Sequence, residues 1–265
     1  MFNVYIKFLI MKILILATES LNSNFLINSL SKDYKLNILF ENKVSKKTFW
    51  TNRIKRLGVN KVIGQILFLF FSLFMQILNK KKIQNLLGKE NYHIKKNENV
   101  SIDYIDSVNS ETTIKNLKSL NPDLVILNGT RIISKKVLSS INCLFINTHC
   151  GITPKYRGVH GGYWAIYNKD LENYGVTIHK VDIGVDTGDI LYQKKVKYDS
   201  KDNYFTYPIK QYFVAIPLII KVIERISNGE QLASCKRTDL QFQSRLWYHP
   251  TIFQYLYGLL VNQVK

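Results

Sequence analysis

The chain is poor in cysteine and poor in acid. Its 265 residues include three cysteines, Cys143, Cys150 and Cys235, with no CxxC pair and no metal-ligand spacing. An odd, scattered set of thiols excludes a disulfide-stapled secreted scaffold and a structural zinc site, and it points to a reducing, cytosolic compartment. Asp and Glu total 19 against 37 Lys and Arg, a formal charge of +18. That excess suits an anionic partner (a nucleotide-linked sugar, a nucleic acid or an acidic membrane), or equally a solvated lysine surface. No internal repeat is visible. The apolar opening MFNVYIKFLI has no small-residue cleavage site after it, so no signal peptide is read, and either Met1 or Met11 can serve as the start. At 46% hydrophobic the chain is rich enough to bury a substantial core, as one large domain or one domain with an appendage.

An unambiguous membrane span is also missing. Residues 62–78, VIGQILFLFFSLFMQIL, lie near the lower limit of roughly 17 residues for a span and are interrupted by polar groups. Arg53, Lys55, Arg56 and Lys61 precede the run, and Lys80, Lys81 and Lys82 follow it. On a helix, Lys61, Gln65, Ser72, Gln76 and Asn79 form one narrow polar stripe on an otherwise apolar cylinder. Three readings follow, in order of preference: burial in the core or a homodimer interface, contact with a membrane surface through residues 53–82, and a true span.

Elsewhere strands and helices alternate. Short apolar runs at 11–17, 36–40, 100–105, 124–127 and 143–147 read as buried strands, with helices expected over 22–30, 111–120 and 133–138. Asn121-Pro122-Asp123 is a helix stop. This order predicts an α/β fold: a Rossmann-like open, mostly parallel sheet with helices on both faces. Residues 175–182 and 190–198 read as two β segments around a turn. Residues 207–228 read as a helix that Pro217 should kink or break, followed by a polar, aromatic tail. Ligands bind beyond the carboxyl ends of strands in such sheets, and Asn147 and His149 stand at one.

Chemistry gathers there. Phe145-Ile146-Asn147-Thr148-His149 is followed by Pro154-Lys155-Tyr156-Arg157-Gly158 and then by Val185-Asp186-Thr187-Gly188-Asp189-Ile190. An amide donates to an oxyanion, an imidazole moves a proton, and a carboxylate orients the imidazole: the parts for acyl transfer. Alone, Asn-x-His is a capping pair and Asp-Thr-Gly is turn chemistry. In this order the three segments resemble the folate-dependent formyltransferases, which include glycinamide ribonucleotide formyltransferase, the methionyl-tRNA formyltransferase catalytic domain and the sugar N-formyltransferases. The resemblance is firm over about 120–195, loose over 11–42, absent from 45–98 and weak after 205.

The resemblance implies an N-formyltransferase that uses 10-formyltetrahydrofolate and no metal. Asn147 would donate to the oxyanion, His149 act as general acid and base, and Asp186 orient His149. Asn128, Gly129, Arg131, Ile132 and Ile133 on one side, and Asp182, Ile183, Gly184 and Val185 on the other, would hold the pterin. Lys155, Tyr156, Arg157, Gly158 and His160 would line the acceptor side, His160 as a wall rather than a second base. Cys150-Gly151 and Ile152-Thr153 depart from the family's Pro-Ser or Ala-Ser and paired leucines, which puts the pocket floor in doubt. A nucleophilic Cys150 has no base or oxyanion site assigned to it. The expected division is a catalytic domain over 11–200, with a basic amphipathic insertion at about 45–98, and a short helical extension over 201–265. The expected acceptor is the amine of a nucleotide-linked or lipid-linked amino sugar for a surface glycan, in the cytoplasm or peripheral at the inner face of the membrane. The extension lacks the strand alternation of a β-barrel domain, which argues against a tRNA acceptor, although the positive charge keeps that alternative. A non-catalytic folate-binding or membrane-docking protein is the other alternative.

Overall fold

The computed structural model describes residues 11–89, 100–236 and 243–264. The choice between Met1 and Met11 and the last part of the 45–98 insertion fall outside the described residues. In chain order the elements are β1 (Ile13–Ala17), α1 (Leu21–Leu30), β2 (Leu36–Glu41), α2 (Lys46–Leu57), α3 (Val59–Lys89), β3 (Ile102–Ile105), α4 (Glu111–Leu120), β4 (Leu124–Asn128), α5 (Lys135–Leu138), β5 (Leu144–His149), β6 (Arg157–Gly158), α6 (Gly161–Tyr167), β7 (Gly175–Lys180), β8 (Ile190–Lys195), α7 (Tyr207–Ser227), β9 (Leu246–Trp247) and α8 (Ile252–Leu260).

The main sheet has seven strands in the order β3-β2-β1-β4-β5-β7-β8. Six run in one direction and β7 alone runs against them, pairing antiparallel with β5 and with β8. The mostly parallel, Rossmann-like sheet expected from the sequence is present. Its strands show why continuous apolar runs were the right signal. Side chains alternate along a strand, and Ile13, Ile15 and Ala17 join Phe25 and Leu30 of α1 and Ile219 of α7 on one face. Leu14 and Leu16 join Ile114 and Leu117 of α4 and Val137 of α5 on the other. With both faces covered, no position on β1 can be polar.

Helix ends follow local chemistry. Ser20 and Ser110 cap α1 and α4, each accepting from the N–H three residues on, at 3.1 and 3.2 Å. Asn121 ends α4 in the left-handed region at φ 43°. The expected kink or break at Pro217 does not interrupt α7, which runs through it from Tyr207 to Ser227. Ile216, Ile219, Val222 and Ile223 are buried around that turn, and their packing outweighs the proline's cost of about 3 kcal/mol.

Of the leading expectation for the 62–78 run, burial in the core holds only along the inner side of the helix, at Val62 and Phe68. The polar stripe of α3 turns inward at Gln65 and Asn79, both buried, while Ile63, Leu67, Phe70, Phe74 and Ile77 face out. Hydrogen bonds account for the inversion. Arg53 Nε of α2 donates to Gln65 Oε1 at 2.7 Å, and Gln65 Nε2 donates to the His249 carbonyl at 2.7 Å. Asn203 Nδ2 donates to Asn79 Oδ1 at 2.6 Å. The tail then wraps this side of the molecule. β9 pairs with β6, and α8 begins with a capping box of Thr251 and Gln254 and packs on α3 through Tyr255.

Candidate active site

Asn147 and His149 are two residues apart on β5 and so share a face of the sheet. Antiparallel pairing sets His179 of β7 directly opposite Asn147. The loop from β7 to β8 then brings Asp186 between all three. Asp186 Oδ2 lies 3.3 Å from His149 Nδ1 and accepts from Gly158 N–H at 2.8 Å. Its Oδ1 accepts from Asn147 Nδ2 at 3.2 Å and lies 3.4 Å from His179 Nε2. His149 Nε2 faces the Tyr156 carbonyl in a short contact. Asp186 holds the left-handed region at φ 50°, a conformation Asp tolerates better than most residues, and non-glycine residues so placed cluster at functional sites.

Burial opposes charge on Asp186, but His149, His179 and the Gly158 N–H together outweigh it and hold the carboxyl well below the usual range. Its neighbour Cys150 moves the other way: burial, and then the charge of Asp186, push the thiol up to about 12. A thiol so raised is not a nucleophile near neutrality.

These residues line a cleft of about 490 Å³, within the range of small-molecule sites. Asn128, Gly129, Arg131, Ile132 and Ile133 form one wall, Asp182, Gly184 and Val185 another, and Gly158 and His160 a third. Ile183, expected beside them, is outside the lining and two-thirds exposed, at 66%. Asn128 is held at both ends: Tyr212 Oη donates to its Oδ1, and its Nδ2 donates to Ser23 Oγ at 3.2 Å. Arg131 turns its guanidinium away from the cleft, with Nε 3.2 Å from Glu41 Oε1 and Nη2 donating to the carbonyls of Asn42 and Asp106. Among the described residues no group of three His, Cys, Asp or Glu side chains is placed to hold a metal.

Three of the expected acceptor residues are not brought to the cleft. Lys155 Nζ pairs with Asp170 Oδ2 at 2.6 Å, and Tyr156 is buried with its hydroxyl donating to the same oxygen at 2.8 Å. Arg157 Nη1 donates to the Val185 carbonyl at 3.0 Å, which braces the loop of Asp186 from behind. His160 does stand in the wall. Burial, then His249 and Arg53, hold it well below its ordinary value, so it is neutral near pH 7; its Nε2 meets Tyr204 Oη at 2.6 Å and His249 Nδ1 at 3.0 Å. Sequence reasoning missed His179, Tyr204, Tyr207 and Tyr212 in this lining. The position of His179 depends on antiparallel pairing across β5 and β7, and the tyrosines come from the segment leading into α7 and from α7 itself, remote in sequence.

A family model described as formyl transferase matches residues 72–214. The chain belongs to that family. A methionyl-tRNA formyltransferase from Thermodesulfovibrio yellowstonii is 36% identical over 125 residues, 47% of this chain and 40% of that protein. The chain thus spans about two-fifths of the length of the curated relatives it matches. Among solved structures, a 4-N formyltransferase from Francisella tularensis superposes with a TM-score of 0.53 at 22% identity, covering 89% of this chain and 76% of that one. A phosphoribosylglycinamide formyltransferase from Streptococcus pneumoniae gives 0.52 at 20% identity, covering 82% and 99%. Identities this low speak for the fold alone.

Within this cleft the Asp186 loop has one tight point. A Cβ at Gly188 would sit 1.8 Å from the Lys180 carbonyl oxygen, a backbone atom that cannot swing aside. Gly188→Ala is therefore expected to displace Asp186, to lower kcat by on the order of tenfold to a hundredfold, and to cost about 1–3 kcal/mol of stability through the backbone shift. Steady-state turnover beside a thermal melt checks this; unchanged kcat would show that the loop does not set the geometry.

Proposed function

We propose that the protein transfers a formyl group from 10-formyltetrahydrofolate to the primary amine of a nucleotide-linked or lipid-linked amino sugar. The observation that carries the reading is the convergence of Asn147 and His149 on the buried Asp186 at the cleft wall. In the reaction the amine nitrogen attacks the formyl carbon, the bond from that carbon to the folate nitrogen breaks, and the amine proton passes to the departing nitrogen. Asn147 turns its Nδ2 donors toward the formyl oxygen as charge grows there. His149 takes the amine proton on Nε2 once that nitrogen leaves the Tyr156 carbonyl and delivers it to the folate nitrogen, while Asp186 holds the ring through Nδ1 and balances its charge. The wall at 128–133 and that of Asp182, Gly184 and Val185 hold the pterin by their backbone edges. Tyr204, Tyr207 and Tyr212 complete the lining, Tyr212 fixing Asn128 through its hydroxyl. In this reading residues 11–200 carry the chemistry, and α7 with the segment leading into it completes the cleft through these tyrosines.

A second acceptor has a specific observation behind it. The curated relatives at 34–36% identity are methionyl-tRNA formyltransferases, and the charge of +18 suits a polyanion. One assay separates the two. Purified protein is mixed with 10-formyltetrahydrofolate and either a panel of nucleotide-linked amino sugars or methionyl-tRNA, and tetrahydrofolate release and product mass are followed. One added formyl group on a sugar is the expected result; formylation of methionyl-tRNA alone would replace the sugar reading, and no folate binding would remove both.

A further inference from the structure

We propose that the outer face of α3, continued by α8, docks on an acidic phospholipid surface. The inference stands on surface chemistry and does not depend on the formyl-transfer reading.

The face is an inverted amphipathic helix. Phe70, Phe74 and Ile77 are 67%, 60% and 73% exposed, and Val59, Ile63, Leu67, Leu73 and Leu78 are exposed along the same helix. These positions recur every three or four residues, so they make one stripe along the axis. α8 extends it sideways: Phe253 and Leu260 are 70% and 77% exposed, and Tyr255 between them seats α8 on Phe68 and Phe71 of α3. A contiguous apolar surface of this extent on a water-facing protein marks a site of contact.

Charge identifies the occupant. Residues 43–89 contain no Asp or Glu, and neither do residues 243–264. Exposed Arg56 and Lys61 stand at the N-terminal end of α3, over the Tyr248 ring, and exposed Lys80 and Lys81 lie beyond the stripe toward its C-terminal end. An isologous contact with a second copy would set these cationic rims against each other with no acid from either helix to answer them. Anionic headgroups answer them directly, with the apolar stripe entering the acyl boundary, as an interfacial helix does. α3 is long and apolar enough to cross a bilayer by length and composition. Yet its inner side is fastened by the Gln65 and Asn79 hydrogen bonds and by buried Phe68, Ile83 and Leu87. Crossing would strip those polar groups of their partners inside hydrocarbon, so the helix lies along the surface.

The test is co-sedimentation of the full chain with phosphatidylcholine vesicles, with and without phosphatidylglycerol, at low and high salt. Binding is expected to the acidic vesicles, weaker by about tenfold or more on phosphatidylcholine alone and in high salt. The double substitution Phe70→Glu, Phe74→Glu should lose about tenfold or more in vesicle binding with an unchanged thermal melt, because both side chains face out. Lys80→Ser with Lys81→Ser should lose preference for the acidic vesicles. Failure of the unaltered chain to bind acidic vesicles overturns the proposal. So does undiminished binding by the Phe70, Phe74 variant. A dimer in size-exclusion chromatography that this variant turns into a monomer, without vesicle binding by the unaltered chain, assigns the face to a second copy.

Discussion

His149→Ala is expected to lower kcat for formyl transfer by about a hundredfold to ten-thousandfold while leaving folate binding within a few-fold, the span ascribed to loss of a positioned acid–base group. The imidazole touches Asp186 through Nδ1 and the Tyr156 carbonyl through Nε2, whereas the expected pterin walls at 128–133 and 182–185 do not depend on it. Equilibrium folate binding and single-turnover kinetics on the same preparations separate the two effects. Equal losses in binding and in kcat would make His149 a structural side chain. Asp186→Asn carries a companion expectation in pH. A carboxyl held below its unfolded value, near 3.9, contributes stability that is present above that value and is lost as pH falls through the lower folded one. Asp186 is such a group, because His149, His179 and the Gly158 N–H overcome its burial. Acid unfolding followed by circular dichroism below about pH 4 should therefore be shallower in Asp186→Asn, from a lower starting stability. An identical acid slope would remove Asp186 from this role.

A large loss of stability is expected from Glu41→Ala, at roughly 1–3 kcal/mol. Glu41 ends β2 and is 5% exposed. Its Oε1 accepts from Val108 N–H at 2.8 Å and lies 3.2 Å from Arg131 Nε; its Oε2 accepts from Arg131 N–H at 3.0 Å. Removing the carboxylate strands the Val108 and Arg131 backbone donors and leaves the guanidinium without its counter-charge. Arg131→Ala should cost less, since that side chain is one-third exposed at 35% and its loss still leaves Glu41 two backbone donors. Urea midpoints for the two variants check the order. Because Arg131 ties the 128–133 loop to β2, Glu41→Ala should also weaken folate binding. A loss under about 1 kcal/mol would mean that water replaces the carboxylate with ease.

The sheet was legible in the chain because every central strand is buried on both faces, so each had to be a continuous apolar run bounded by turn residues. Asn147, His149 and Asp186 were legible for a related reason: they sit where strands end, and turn chemistry in sequence marks those ends. What local signals do not carry is which distant groups meet. Lys155, Tyr156 and Arg157 read as an acceptor loop, yet Asp170 and the Val185 carbonyl claim them. His179 reached the site only through antiparallel pairing with β5, and Tyr212 only because α7 crosses back over the sheet. The same holds for α3. The sequence determined that one stripe of the helix is polar and the rest apolar. Only the tertiary structure decided which side faces the protein, because Arg53, His249 and Asn203 supply hydrogen-bond partners for the buried Gln65 and Asn79 and so turn the apolar side outward.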